Sequence, residues 1–218
     1  MKLRTLRCTV MVICIAALAG CSSAYYGAME KVGIHKRDLM VSRVEEARDA
    51  QEAAKEQFQS ALEQFTSVVA VKGGDLEQKY NTLNDAYQES EKKADIVSKR
   101  IAKVEDVSEA LFDEWEDELD LYSSPRLRED SRKKLEQTRR DYNRLIKAMK
   151  RAEKKIQPVL VAFRDQVLYL KHNLNAQAIS SLKNELVAIE DNVAVLVSEM
   201  EASIREAEQF IEALRKEG

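Results

Sequence analysis

Glycine and proline are nearly missing from most of this 218-residue chain. The six glycines are Gly20, Gly27, Gly33, Gly73, Gly74 and Gly218, so none falls between positions 75 and 217. The prolines are Pro125 and Pro158. Sheet proteins need frequent turns built on these two residue types, so their scarcity excludes a sandwich or barrel of short strands. Cysteine stops at position 21, since Cys8, Cys14 and Cys21 are the full set. The chain beyond Cys21 therefore forms no internal disulfide and offers no thiolate to zinc or a cluster. Histidine is confined to His35 and His172. Aromatic residues make up only 6% of the chain, which argues against a wide globular core. Lys72 precedes Gly73-Gly74 instead of following it, so this is no phosphate-binding loop. HExxH, CxxC and GxSxG are absent from the sequence. We expect no enzymatic activity, no metal and no cofactor, because the residues that catalysis would bring together cannot be picked out.

What is present is charge and rhythm. Charged residues form 33% of the chain, in long tracts of Ala, Glu, Lys, Leu and Arg, the composition of long helices or coiled coil. One apolar seam runs Met40, Val44, Ala47, Gln51, Ala54, Phe58, Ala61, Phe65, Val68. A second runs Leu76, Tyr80, Leu83, Tyr87, Ser90, Ala94, Val97, Ile101, Val104, Ser108, Leu111, Trp115, Tyr122. A third runs from Leu135 through Tyr142, Met149 and Ile156 to Phe163, and a fourth from Leu182 through Ile189, Leu196 and Ile204 to Leu214. Steps of three and four place each seam on one helical face. Extra apolar residues such as Leu62, Val69, Phe112, Val197 and Phe210 widen that face beyond a two-stranded coil and favour a bundle.

Three breaks divide the seams. Gly73-Gly74-Asp75 reads as a helix stop and an N-cap. Ser123-Ser124-Pro125 reads as a cap followed by proline at the first helical position. His172-Asn173-Leu174-Asn175 reads as a C-cap and an N-cap. The expected helices are 36–72, 75–122, 125–172 and 175–217. Short connections make neighbours antiparallel, so the expected fold is all-α: long antiparallel helices in an up-down bundle or coiled coil, a single domain over 36–217. Pro158 leaves two readings open. Either it kinks the third helix, or that helix ends near Ile156 and a continuous fourth starts at Pro158.

Charge is segregated along the chain. Nine acidic residues lie between Glu105 and Asp120 with no basic residue among them, while 126–155 holds thirteen basic residues and five acidic ones. A hairpin at Ser123-Ser124-Pro125 would lay one tract on the other and set register, as flanking charges do in coiled coils. The alternative is a binding patch for an anionic glycolipid or lipid phosphate, centred on Arg139, Arg140 and Arg144. A second candidate interaction spot is His172, Asn173 and Asn175, where uncharged polar residues gather; turn chemistry accounts for these about as well.

The first 21 residues have a pattern of their own. Lys2, Arg4 and Arg7 precede an apolar run from Thr9 to Leu18, and Leu18-Ala19-Gly20-Cys21 closes it. The run falls short of the roughly 20 residues a spanning helix needs and has the dimensions of a signal peptide. The closing tetrapeptide resembles the lipobox of bacterial lipoproteins, which implies cleavage of 1–20, lipidation of Cys21, and a tether over 21–35. Tyr25 and Tyr26 stand close enough to the lipid to rest at headgroup level. Ser22 and Ser23 resemble an outer-membrane sorting signal. Loss of 1–20 would move the formal charge from −3 to −6, which disfavours nucleic acid as a partner.

Further blocks carry a wider resemblance: Tyr25-Tyr26-Gly27, Gly33-Ile34-His35-Lys36-Arg37-Asp38, Gly73-Gly74-Asp75-Leu76, Leu111-Phe112-Asp113-Glu114-Trp115-Glu116, and Pro158-Val159-Leu160 leading into 165–179. Together they resemble a family of uncharacterised Gram-negative helical lipoproteins known as a domain of unknown function. That resemblance implies a helical periplasmic lipoprotein and brings no activity with it. The expected role is a rod-like, lipid-anchored structural, adaptor or stress-related component on the periplasmic face of the outer membrane. Its expected partners are an envelope protein, peptidoglycan or itself. The C-terminal Lys216-Glu217-Gly218 lacks the terminal lysine by which some helical lipoproteins join peptidoglycan covalently, so that linkage is not expected.

Overall fold

The computed structural model describes residues 29, 33, 35–70, 75–173 and 176–216. The leader, Cys21, most of the 21–35 tether, Gly73-Gly74 and Asn175 lie outside the described residues. Four long helices follow one another: α1 (Lys36–Ala70), α2 (Leu76–Leu119), α3 (Pro125–His172) and α4 (Ala176–Lys216). Among the described residues there is no strand, and the fold is an all-α bundle of antiparallel helices.

The helix ends follow from local chemistry. Gly33, just ahead of α1, takes φ +83°, a conformation glycine reaches without a Cβ clash. Asp75 caps α2, its Oδ1 accepting from the amides of Glu77 at 2.9 Å and Gln78 at 3.1 Å. Pro125 opens α3 while Ser124 Oγ accepts from the Leu127 amide at 3.4 Å. Asn173 closes α3: its amide donates to the Leu170 carbonyl at 3.1 Å and its Nδ2 to the Tyr169 carbonyl at 2.9 Å. Lys171 and His172 sit in that last turn, and the Lys171 ammonium meets the negative end of the helix dipole.

Two helix boundaries repay closer reading. The sequence pattern carries α2 to 122, but the helix ends at Leu119. Glu116, Asp117, Glu118 and Asp120 crowd its negative end with no basic residue in the last turn, which destabilises further helical turns. The final bonds tighten to three-residue spacing, from Asp120 to the Asp117 carbonyl at 3.4 Å and from Leu121 to the Glu118 carbonyl at 3.0 Å. The missing positive charge comes from beyond the turn, where Arg128 Nη2 donates to the Tyr122 carbonyl at 2.8 Å. At the second boundary, α3 does not end near Ile156 but runs on through Pro158. Pro158 is exposed, and so is Lys154 four residues earlier, whose carbonyl loses its helical partner. Both lie on one exposed face of the helix.

The chain clusters into two compact units. The first takes in the described part of Met1–Arg43 together with Lys103–Arg139. It buries Leu39, Met40, Val104, Val107, Leu111, Phe112, Leu119 and Leu135. Trp115 Nε1 donates to Ser131 Oγ at 2.8 Å across the α2–α3 hairpin, and Lys36 Nζ meets Glu114 Oε1 at 2.6 Å.

The second unit holds Val44–Ala102 and the described part of Arg140–Gly218. Its ties run in opposed order along neighbouring helices, which fixes their antiparallel sense. Glu46 of α1 pairs with Arg100 of α2, and Gln57 Nε2 donates to the Ala86 carbonyl at 3.4 Å. Glu45 of α1 meets Arg215 of α4 at 2.6 Å, and Gln51 Oε1 accepts from Ser203 Oγ at 2.7 Å. Arg144 and Arg151 of α3 reach Glu206 and Glu199 of α4 at 3.9 and 3.3 Å. Phe163 of α3 stacks between Phe58 and Phe65 of α1, with ring centroids 6.3 and 4.5 Å away.

The Gln51–Ser203 bond is fully buried, and Gln51 Nε2 has no protein partner. A buried polar pair inside an apolar seam contributes more to register than to stability. Ser203→Ala strands the Gln51 carboxamide and is expected to cost about 1–3 kcal/mol. Adding Gln51→Leu removes the stranded group and should recover most of that loss. Urea denaturation of the two variants checks the cycle; a double variant less stable than Ser203→Ala alone contradicts it.

Candidate functional site

A concavity lies inside the second unit, between α2 and α3. It is a cleft of about 500 Å³, lined by Tyr87, Glu91, Ala94, Asp95 and Ser98 on one side and by Glu153, Lys154, Ile156, Gln157, Leu160, Val161 and Arg164 on the other. Ala94, Ile156 and Leu160 are buried and form its floor. Val161 stands 41% exposed at its edge, and Leu168, seven residues further along the same helical face, is 46% exposed.

Each wall is braced along its own helix. Tyr87 donates its hydroxyl to Glu91 Oε1 at 3.0 Å, and Asp95 accepts from Lys99 at 2.6 Å. Glu153 meets Lys150 at 3.5 Å, and Arg164 meets Asp165 at 3.7 Å. Burial pushes the Tyr87 phenol above its ordinary pKa, and the bond to Glu91 adds to the rise, while Arg164 opposes it. Tyr87 therefore keeps its proton at neutral pH and acts as a donor, not a base. Among the described residues no group of three or more His, Cys, Asp or Glu side chains is placed to hold a metal ion. The cleft has an apolar floor between a wall carrying Glu91 and Asp95 and one carrying Glu153, Lys154 and Arg164.

Two of the three arginines singled out in the sequence, Arg139 and Arg144, have carboxylate neighbours. Arg139, in the first unit, pairs with Glu116 and lies 5.2 Å over the Phe112 ring. That bond, with the charge behind it, holds the Glu116 carboxyl below its usual pKa. Arg144, in the second unit, meets Asp141 at 2.7 Å as well as Glu206. Arg140 is exposed. The basic tract thus answers the acidic end of α2 only in part; Arg144 and Arg151 turn to α4. His172 is exposed at the end of α3 and Asn173 caps it, while Asn175 lies outside the described residues. The sequence does not point to the cleft residues Tyr87, Glu91, Asp95 and Arg164 as a group. Their one sequence signal is a polar-tipped aromatic, Tyr87, standing at a seam position.

Residues 25–214 match the family described as "Protein of unknown function (DUF2959)". The chain belongs to this family. Among curated proteins none matches the sequence. The DUF2959 match takes in both units and the cleft, and its description carries no reaction or ligand. No described helix is long and apolar enough to cross a membrane.

Proposed function

We propose that this DUF2959 chain is a non-enzymatic, lipid-anchored envelope protein of a Gram-negative bacterium, tethered through Cys21 to the periplasmic face of the outer membrane. It acts there as a structural or adaptor component, with an envelope protein, peptidoglycan or a second copy as its partner. The observation that carries the reading is the N-terminal pattern: a basic start, an apolar run of signal-peptide length, and Leu18-Ala19-Gly20-Cys21. Several acyl chains on one residue give stable anchoring, where a single chain gives only reversible binding. The long helices supply side-chain faces for contact. The polar groups of the cleft are braced against their own helices, which suits docking better than bond-making.

Mass spectrometry of the N-terminal peptide from the native protein tests the anchor. The expected peptide begins at Cys21 and carries a thioether-linked diacylglyceryl group and an amide-linked acyl chain. A peptide that begins at Met1, or an unmodified Cys21, overturns the proposal.

A further inference from the structure

Two helices of the second unit expose charge of a single sign along part of their length. Over 44–63 of α1 the exposed side chains are Asp49, Glu56, Gln59, Ser60 and Glu63, with no cation among them. The cations of that stretch, Arg48 and Lys55, are half-buried. Over 140–155 of α3 the exposed charged side chains are Arg140, Arg144, Lys147, Arg151, Lys154 and Lys155, with no anion among them. The anions of that stretch, Asp141 and Glu153, are half-buried. The other two helices of the unit expose both signs, as with Glu91 beside Lys92 on α2 and Glu201 near Arg205 on α4.

The two single-sign faces look away from each other. Phe163 of α3 stacks on Phe58 of α1 inside the unit. Glu56 precedes Phe58 by two residues, about half a helical turn, and Lys154 precedes Phe163 by nine, about two and a half turns. Each charge therefore points outward, on the side of its helix opposite the stacked rings. The faces also share a repeat. Asp49, Glu56 and Glu63 recur every seven residues, and so do Arg140, Lys147 and Lys154, a step of about 10.5 Å along either helix. α1 and α3 run in the same direction, since each is antiparallel to α4. The α3 face of one copy thus fits the α1 face of another with both copies of the unit pointing the same way. An anionic lipid surface would make no use of the matching face on α1, and the formal charge of −6 beyond the leader opposes it.

We propose that the cationic face of α3 docks on the anionic face of α1 in a second copy of this chain, side by side and in one orientation. Each pairing leaves a face of either sign uncovered, so the contact repeats into a row. Exposed ion pairs are individually weak, and holding the copies on one membrane raises their effective concentration. The proposal commits to the second copy among the partners proposed above, and its geometry does not need the anchor.

The test uses the Cys21→Ala chain exported behind an ordinary cleavable leader, which keeps neither lipid nor cysteine. Ser60→Cys marks the α1 face and Pro158→Cys the outer side of α3; both positions are exposed and neither change alters a charge. The two variants are mixed at millimolar concentration and low ionic strength with a short bismaleimide, which accumulates even a brief complex as covalent dimer. The mixture is expected to give at least about fivefold more dimer than either variant alone, because like faces repel, and about 1 M salt is expected to remove the excess. Asp49→Lys, Glu56→Lys and Glu63→Lys in the Ser60→Cys copy should abolish the excess. Adding Lys147→Glu, Arg151→Glu, Lys154→Glu and Lys155→Glu to the Pro158→Cys copy restores opposite signs and should recover at least about half of it. Thermal midpoints check that the reversed chains stay folded, and the comparison of mixed with single variants needs no reversal at all. Equal yields from mixed and single variants, an excess indifferent to the α1 reversal, or no recovery with the α3 reversal overturns the assignment. A cationic face that serves anionic lipid instead gives no excess. No lipid is present in any arm, so the anchor and the paired faces fail separately.

Discussion

Exported behind an ordinary cleavable leader, a Cys21→Ala variant is expected to leave the membrane fraction and lose all labelling by fatty acid. The size of the effect follows from the arithmetic of lipid burial. Each buried CH₂ contributes about 0.8 kcal/mol, a single myristoyl chain binds with a constant of only about 10⁴ M⁻¹, and two or more chains make release negligible. Removing every chain removes the whole of that term. Little remains to take its place. The chain beyond the leader carries a formal charge of −6, which anionic lipid repels, and no described helix is long and apolar enough to span a bilayer. Fractionation with detergent and carbonate washes reads the result. A variant that stays with the membrane after such washes means that something other than Cys21 holds it there.

Phe163→Ala is expected to be the most destabilising single change in the second unit. Phe163 has no exposed surface, and its ring lies within 12° of parallel to Phe65 and 22° of parallel to Phe58. Truncating a buried phenylalanine costs about 3–5 kcal/mol through lost transfer energy and the cavity left behind. Part of that sum, about 0.5–1.5 kcal/mol per aromatic pair, is the ring contact itself. At this chain length the thermal midpoint should fall by on the order of 10 °C. Phe163→Leu keeps much of the volume without the stacking and should lose less than half as much. Calorimetry of the two variants separates volume from stacking; a fall of under about 2 °C for the alanine variant would mean the three rings do not form a core.

The helices were legible in the sequence because an apolar seam has only one way to be buried. Every α1 seam position from Met40 to Val68 is buried, Gln51 included. Asp75, Ser124, Pro125 and Asn173 act at helix ends as their chemistry indicates. The misreadings fall where a rule other than periodicity decides. In the fourth seam Ile204 stays half-buried while Ser203 goes fully inside, because Gln51 opposite needs a hydroxyl partner. The end of α2 retreats to Leu119 because charge at its terminus outweighs the apolar rhythm that continues to Tyr122. Pro158 is not among them: α3 runs through it, one of the two readings that the sequence left open. The cleft was not legible at all. Tyr87, Ala94 and Ile156 keep their seam positions, and the rhythm along one helix carries no information about its distance from the next. The sequence left two readings of the basic tract, a partner for the acidic tract or a binding patch, because it displays charges without their partners; Glu116, Glu199 and Glu206 come from two other helices.

Trp115, the single tryptophan of the chain, belongs to the first unit, where its indole bonds to Ser131 across the hairpin. Its fluorescence is therefore an optical signal of that unit. Far-ultraviolet dichroism, by contrast, sums over all four helices. Recorded side by side, the two spectroscopies distinguish a chain that melts as one body from a chain that melts in halves, with no label added.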